Sequence, residues 1–260
     1  MKRFYLTCLI GITCLIGGCA GRNAYLDSEK MPAATETDAA AVEAAAAVFD
    51  LSASFQDDNI VITESDGGIV LCEIPIPFDK NVLCLSMTDE NNGCLLYCST
   101  GAMGLMNKYL YVTRDRWTTY EEKDISSLID GYPTSLSALS SEHIYIGTDM
   151  RNNGYLFEST DGGEHWDSVT VDEGYYRYGY VPLLDETNGV MYVFLEYEAD
   201  DGSHYNYTLY QSDINATAWE KIGSYSLDEG GYSLQECQFF MSDGTLYFYD
   251  SHGNQYQIKP

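Results

Sequence analysis

An all-β fold is predicted for most of this chain, and three observations predict it. From about residue 48 onward, short runs of alternating apolar and polar residues are separated by Gly, Asn, Asp and Ser turns. The runs also repeat. Lys108-Tyr-Leu-Tyr-Val-Thr-Arg-Asp115, Gly154-Tyr-Leu-Phe-Glu-Ser-Thr-Asp161 and Tyr207-Thr-Leu-Tyr-Gln-Ser-Asp213 can be laid over one another, and each is followed by a large aromatic residue, Tyr120, Trp166 and Trp219. Finally, Asp115 to Asp161 is 46 residues and Asp161 to Asp213 is 52, a period that suits one four-stranded propeller blade. The expected fold is a small β-propeller of four such blades, or five if residues 48–80 contribute more strands. A β-sandwich is the competing all-β fold, and the fixed period counts against it.

The chain begins with a segment of a different kind. Lys2 and Arg3 precede an apolar run over 4–16, which is 13 residues long and too short to span a bilayer comfortably. It ends in Leu15-Ile16-Gly17-Gly18-Cys19, which resembles a bacterial lipobox. The resemblance implies that residues 1–18 are a lipoprotein signal peptide and that the Cys19 thiol carries lipid. The domain would then be anchored to the bacterial cell membrane, facing outside the cytoplasm. Residues 19–47 hold that cysteine and a linker. The stretch 33–48 is alanine-rich with scattered Asp, Glu and Thr and no clear apolar stripe, so a flexible stalk is expected.

The propeller domain is expected over 48–260. Strand-like runs lie at 82–87, 93–99, 134–139, 143–147, 178–184, 190–195, 233–241 and 245–250, so three whole blades read as about 82–131, 132–176 and 177–230. A fourth is incomplete at Pro260. The runs at 59–64 and 69–75 flank Ser65-Asp66-Gly67-Gly68 and are expected to complete that last blade, closing the ring and hiding its sheet edges.

The turn after the second repeat is the most informative stretch. In Ser159-Thr-Asp161-Gly162-Gly163-Glu-His-Trp166, the short side chains of Ser159 and Asp161 can hydrogen-bond their own turn. The two glycines permit positive φ, and Trp166 lays its ring back under the hairpin. Ser159, Asp161, Gly163 and Trp166 together resemble the Asp-box, the hairpin repeat of sialidase-like β-propellers (the bacterial neuraminidase repeat). Thr113, Asp115 and Tyr120 form a partial match with Trp117 at the glycine position. Asp213 and Trp219 form a poorer one, lacking the glycine and carrying an extra residue. The resemblance implies that these hairpins sit on the outer rim as structural turns, so Asp66, Asp115, Asp161 and Asp213 are read as turn caps rather than reactive carboxylates.

Composition limits what the domain does. Forty acidic residues face 13 basic ones, a net charge of −27, which becomes −29 without Lys2 and Arg3. Nucleic acid is excluded as a partner, because it needs a basic face. Cys8 and Cys14 leave with the leader. The remaining Cys72, Cys84, Cys94, Cys98 and Cys237 are odd in number and lack metal-type spacing, so they read as small buried hydrophobes. His143, His165, His204 and His252 are scattered, and the acidic loop 196–204 does not follow the EF-hand pattern; neither a metal nor another cofactor is expected.

A sialidase-like activity, implied by the resemblance, needs three arginines on a carboxylate, a Tyr–Glu nucleophile pair and an Asp acid/base. Arg114 and Arg116 flank a rim hairpin, which leaves Arg151 and Arg177. The expected role is therefore binding without catalysis: a scaffold or recognition module for an envelope protein, peptide or glycan. A sialidase-like glycoside hydrolase is the alternative, and no catalytic residue is assigned. The most site-like stretch is 172–180, where Tyr175, Tyr176 and Tyr178 offer stacking faces and Arg177 a carboxylate grip, with Arg151 in a neighbouring loop. Alternatively, strand alternation buries some of these tyrosines between blades.

Overall fold

The computed structural model describes residues 51–64, 68–76, 80–99, 106–148, 156–173, 176, 178–185, 188–198, 205–214, 218–226, 238–242, 245–249 and 255–258. The leader, Cys19 and the linker expected over 1–47 lie outside them. All regular elements among the described residues are strands, in five antiparallel sheets taken in chain order.

The first sheet holds β1 (Leu51–Gln56), β2 (Asn59–Glu64) and β3 (Val70–Pro75). The second holds β4 (Lys80–Met87), β5 (Gly93–Ser99), β6 (Lys108–Thr113) and β7 (Glu121–Asp124). The third holds β8 (Pro133–Ala138), β9 (Ile144–Thr148), β10 (Leu156–Ser159) and β11 (Asp167–Ser168). In the fourth, β12 (Tyr178–Gly179) and β13 (Leu183–Asp185) pair with β14 (Val190–Glu198), which continues to β15 (Tyr205–Asp213) and β16 (Glu220–Ser226). β12 and β13 are two halves of one interrupted strand. The break contains Pro182, which cannot donate to a ladder. The fifth sheet is β17 (Gln238–Ser242), β18 (Thr245–Tyr249) and β19 (Gln255–Ile258).

This is a propeller order. Each sheet is a meander of neighbouring strands, and sheets meet through their first strands, β4 against β8 and β13 against β17. Second strands also touch the first strand of the next sheet, β5 against β8 and β9 against β12. Both faces of an inner blade are covered, and the sequence alternates between two cores rather than between core and water. Along β5, Cys94, Leu96 and Cys98 enter a cluster with Leu136, Ile146 and Phe157 of the third sheet. Leu95 and Tyr97 point the other way, into a cluster with Ile60, Ile62 and Ile74 of the first sheet. A third cluster joins Tyr145 and Leu156 to Leu183, Val193, Phe194 and Leu209. Each such fully buried side chain contributes about 1.5–3 kcal/mol.

Polar side chains stitch the first strands together where backbone groups are buried. Ser86 Oγ accepts the Ala138 amide at 3.0 Å and Ser135 Oγ accepts that of Val181 at 3.2 Å, while Thr134 Oγ1 donates to Gly179 O at 3.2 Å. The third and fourth sheets approach so closely here that a Cβ on Gly147 would lie 2.4 Å from both Gly179 O and Ser135 Oγ.

Among the described residues the strands form five sheets, which corresponds to the larger of the two blade counts expected. The expectation that N-terminal strands complete the last blade is corrected: β1–β3 form a sheet of their own, and no described strand pairing joins them to β17–β19. The cause is docking against the second blade. Arg116, in the β6–β7 hairpin, pairs with Glu64 of β2 at 2.9 Å, and the fully buried Trp117 joins the first-sheet cluster. The next hairpin repeats the arrangement, with Gly163 against Leu110 of β6 and Lys123 of β7. A hairpin thus rests on the third and fourth strands of the preceding blade. By that correspondence β2 and β3 are third and fourth strands, and β1, which meets β4, is a second strand. Among the described residues the first blade has no inner strand.

Candidate functional site

Register separates two ends of the third blade. Ala138, Ile144, Ser159 and Asp167 lie at one end, with the 159–166 hairpin, and Pro133, Thr148, Leu156 and Ser168 at the other. The segments joining β9 to β10 and β11 to β12 both depart from this second end. Arg151 belongs to the first and Tyr175, Tyr176 and Arg177 to the second; Arg151, Tyr175 and Arg177 lie outside the described residues. Tyr178 opens β12 and pairs in register with Glu196.

Tyr176 is buried, 7 % exposed. Its hydroxyl donates to Asp172 Oδ2 at 2.9 Å and sits 2.8 Å from the Tyr210 hydroxyl, which also donates to Asp172. The Tyr176 ring stands edge-on to Tyr197 at 5.8 Å. Burial, then the hydrogen bonds with Asp172 and Tyr176, push the Tyr210 phenol well above its usual range. The cluster fixes one end of the stretch 172–180 to the fourth blade.

A second polar cluster, on the third blade, was not picked out from sequence. Tyr145 and Glu158 are cross-strand partners on β9 and β10, and Tyr145 Oη donates to Glu158 Oε1 at 2.5 Å. His143 Nε2 lies 3.0 Å from Tyr145 Oη and 2.5 Å from Glu158 Oε1. Tyr145 lies on β9, His143 one residue before that strand and Glu158 opposite on β10, an arrangement visible only once the register is known. A Tyr–Glu pair suggests a nucleophile, but the Tyr145 ring is wholly buried. Burial and the Glu158 carboxylate push its phenol upward, so it is held as a donor rather than as phenolate.

The hairpins use their polar residues internally. Ser159 Oγ donates to Asp161 Oδ1 at 2.9 Å and accepts the Gly163 amide at 2.8 Å. Asp161 Oδ1 accepts the amides of Glu164 and His165 at 3.1 and 3.0 Å, and Trp166 Nε1 donates to Gly163 O at 3.0 Å. The His165 amide and ring hold the Asp161 carboxyl far below its usual range, and Asp161 in turn raises His165.

Thr113 and Asp115 reproduce the pattern. Thr113 Oγ1 donates to Asp115 Oδ1 at 3.1 Å and accepts the Trp117 amide at 2.9 Å, and Asp115 Oδ1 accepts the Thr119 amide at 2.8 Å. The glycine pair, Gly162 at φ 74 and Gly163 at φ 96, is replaced by Arg116 at φ 55 and Trp117 at φ 65. The Thr–x–Asp spacing with an aromatic five residues on was the available signal, and the missing glycine hid how closely the geometry is kept. Tyr120, at the Trp166 position, is edge-on to Tyr111 at 5.5 Å.

The third hairpin differs. Ser212 takes the place of Ser159, which sets Asp213 one residue early, and the buried Ser212 Oγ and Trp219 Nε1 have no hydrogen-bond partner among the described residues. All three turns still make one shared contact to their own blade: Arg116 N to Asn91 O, Gly162 N to Glu142 O and Ile214 N to Gly189 O.

Arg114 is half exposed and 3.8 Å from Glu121, and with Arg116 bound to Glu64 both arginines stay at the hairpin end. Among the described residues no group of three His, Cys, Asp or Glu is placed to hold a metal. Cys84, Cys94 and Cys98 are buried thiols, and burial pushes Cys98 up against the opposing pull of Lys108.

The sequence matches no known family profile and no curated protein. The solved structures similar in fold include the following three. One, described as YCF48 bound to D1 peptide, is 14 % identical, with 82 % of this chain and 68 % of that one covered and a TM-score of 0.41. The GH74 xyloglucanase from Xanthomonas campestris is 12 % identical over 77 % of this chain and 36 % of its own, with a TM-score of 0.37. The GH74 enzyme of Niastella koreensis is 10 % identical over 80 % and 44 %, with a TM-score of 0.30. This chain therefore spans less than half the length of either enzyme.

Proposed function

We propose that this chain is a non-catalytic binding or scaffold module for a protein, peptide or glycan of the cell envelope, held outside the membrane by lipid on Cys19. The Asp-box resemblance and the leader support this reading. One structural observation carries it: of the groups whose acid–base character is strongly displaced, Tyr145, Tyr210 and Asp161 are hydrogen-bonded to other side chains of the fold, and Tyr111 and Cys98 are buried in its core. Such groups build architecture and are not poised for proton transfer. Arg151, Tyr175, Arg177 and Tyr178 are the residues proposed to meet the ligand, with Tyr176 anchoring their segment through Asp172 and Tyr210.

The test is to offer the purified full-length protein fluorogenic sialosides alongside glycan and peptide arrays. Saturable retention without turnover is expected. Turnover abolished by Arg177→Ala would establish the sialidase-like glycoside hydrolase instead. Cys19→Ser should move the protein from the membrane to the soluble fraction; a variant that stays membrane-bound removes the lipid anchor.

A further inference from the structure

We propose that His143 Nε2, Glu158 Oε1 and Tyr145 Oη form a binding site for a divalent transition-metal ion of the zinc class, at the hairpin end of the third blade. The proposal goes beyond the binding reading above and stands or falls separately from it. The three atoms form a triangle with sides of 2.5, 2.5 and 3.0 Å. Imidazole nitrogen and carboxylate oxygen are ordinary ligands of such ions, and a tyrosine oxygen also serves as a metal ligand. Three ligands at right angles, each about 2.1 Å from an ion, lie about 3.0 Å from one another. The His143–Tyr145 side already has that length. The two sides that meet at Glu158 need to open by about 0.5 Å, which a small rotation of one carboxylate supplies.

The convergence is built into the ladder. Tyr145 and Glu158 are cross-strand partners, and His143 stands two residues before Tyr145, so all three side chains share a face of the sheet. The His143 backbone is fixed by its turn: its amide donates to Ser140 Oγ at 2.9 Å and its carbonyl accepts the Leu139 amide at 2.8 Å. The Tyr145 ring is wholly buried, and the His143 ring lies against it with centroids 5.0 Å apart. Ligands held by strands and packing in this way need little ordering when an ion arrives.

Access and charge agree with the geometry. The His143 and Glu158 side chains are 27 % and 24 % exposed, so an ion can enter from solvent and keep water on the positions the protein does not fill. A chain of net charge −27 draws cations to its surface. On binding, the His143 ring carries its proton on Nδ1 and presents the Nε2 lone pair, and Tyr145 enters as a neutral phenol, the weakest of the three donors. The other His–carboxylate pair, His165 with Asp161, is a poorer site. The His165 side chain is 88 % exposed, and Asp161 Oδ1 already accepts two backbone amides of its own turn.

The probes are Zn²⁺ and Co²⁺ added to the full-length protein in excess Mg²⁺, which occupies surface carboxylates non-specifically. Zn²⁺ binding is followed by calorimetry. Co²⁺ is followed by its visible absorption and by paramagnetic shifts in NMR spectra. Saturable binding is expected, with the largest Co²⁺ shifts at His143, Tyr145 and Glu158. His143→Ala and Glu158→Gln should each weaken Zn²⁺ by about tenfold or more. Tyr145→Phe, which keeps the buried ring, should weaken it by a smaller but measurable factor, and His165→Ala should leave it unchanged. Absence of binding in excess Mg²⁺, or Co²⁺ shifts centred elsewhere in the wild-type protein, overturns the site without recourse to any variant. So does affinity indifferent to both His143→Ala and Glu158→Gln, or lost in His165→Ala. Unchanged affinity in Tyr145→Phe overturns the three-donor site. None of these results touches glycan or peptide retention, which tests the binding reading by itself.

Discussion

Trp117 sets two large effects against each other, and Trp117→Gly measures which wins. The residue holds φ 65, where a residue with a side chain costs about 1–2 kcal/mol relative to glycine. Its ring is fully buried against Met87, with Nε1 3.4 Å from the Met87 sulfur, and shares a cluster with Ile60, Ile62 and Ile74 of the first blade. Emptying such a site costs about 3–5 kcal/mol. Glycine should therefore relieve the backbone and still lose about 1–4 kcal/mol net. In a domain of this size that is a fall in Tm of roughly 2–16 °C. Alanine empties the site but keeps the strain, so Trp117→Ala should be less stable than Trp117→Gly by about the strain itself. Thermal and urea unfolding of both variants decide the matter. A glycine variant at least as stable as wild type would falsify the claim that the ring, not the turn, holds the first blade in place.

Other predictions follow from the same geometry. Gly147→Ala drives a Cβ to 2.4 Å from backbone Gly179 O and should cost about 1–3 kcal/mol in urea unfolding; an unchanged midpoint would show that the third and fourth blades separate freely. Tyr176→Phe keeps the ring and removes the hydroxyl shared with Asp172 and Tyr210, so a loss of about 1 kcal/mol is expected without loss of ligand; lost affinity at unchanged stability would put the hydroxyl on the ligand. The His165–Asp161 contact has a defined pH window. His165 is raised above its ordinary 6.5, so its contribution is complete below that value and fades as pH rises through the folded pKa. Asp161 is lowered from 3.8, so its contribution is present above that value and fades as pH falls through the lowered pKa. The hairpin should be firmest between about pH 4 and 6.5. An NMR titration placing His165 at or below 6.5 would contradict it.

Much of the fold was legible because a propeller repeats its grammar. The runs at 82–87, 93–99, 134–139 and 190–195 became β4, β5, β8 and β14 within a residue or two at each start, because each carries a dense apolar run between turn residues. Of the edge strands, the run at 167–171 after the Asp-box turn is strand-like in sequence and holds β11, which is only Asp-Ser, whereas β7, Glu-Glu-Lys-Asp, was not read, because it faces no core and carries no hydrophobic periodicity. β1 was missed for a related reason. Its polar Ser52, Ser54 and Gln56 alternate with only Leu51, Ala53 and Phe55, a weak signal for a strand covered on one side. The site was less legible. Tyr176 was singled out for its neighbours, yet its burial follows from Tyr210, 34 residues away, which no local pattern announces. The His143, Tyr145 and Glu158 cluster likewise exists only through the register of β9 with β10.

The way each hairpin leans backwards fixes an order of assembly. The 113–120 turn needs β2 and β3 beneath it, and the 159–166 turn needs β6 and β7. Synthesis delivers the N-terminus first. Each of these two turns, as it is completed, therefore finds its platform already made. On that side of the blades a growing chain can ratchet itself together, each hairpin closing on strands laid down before it.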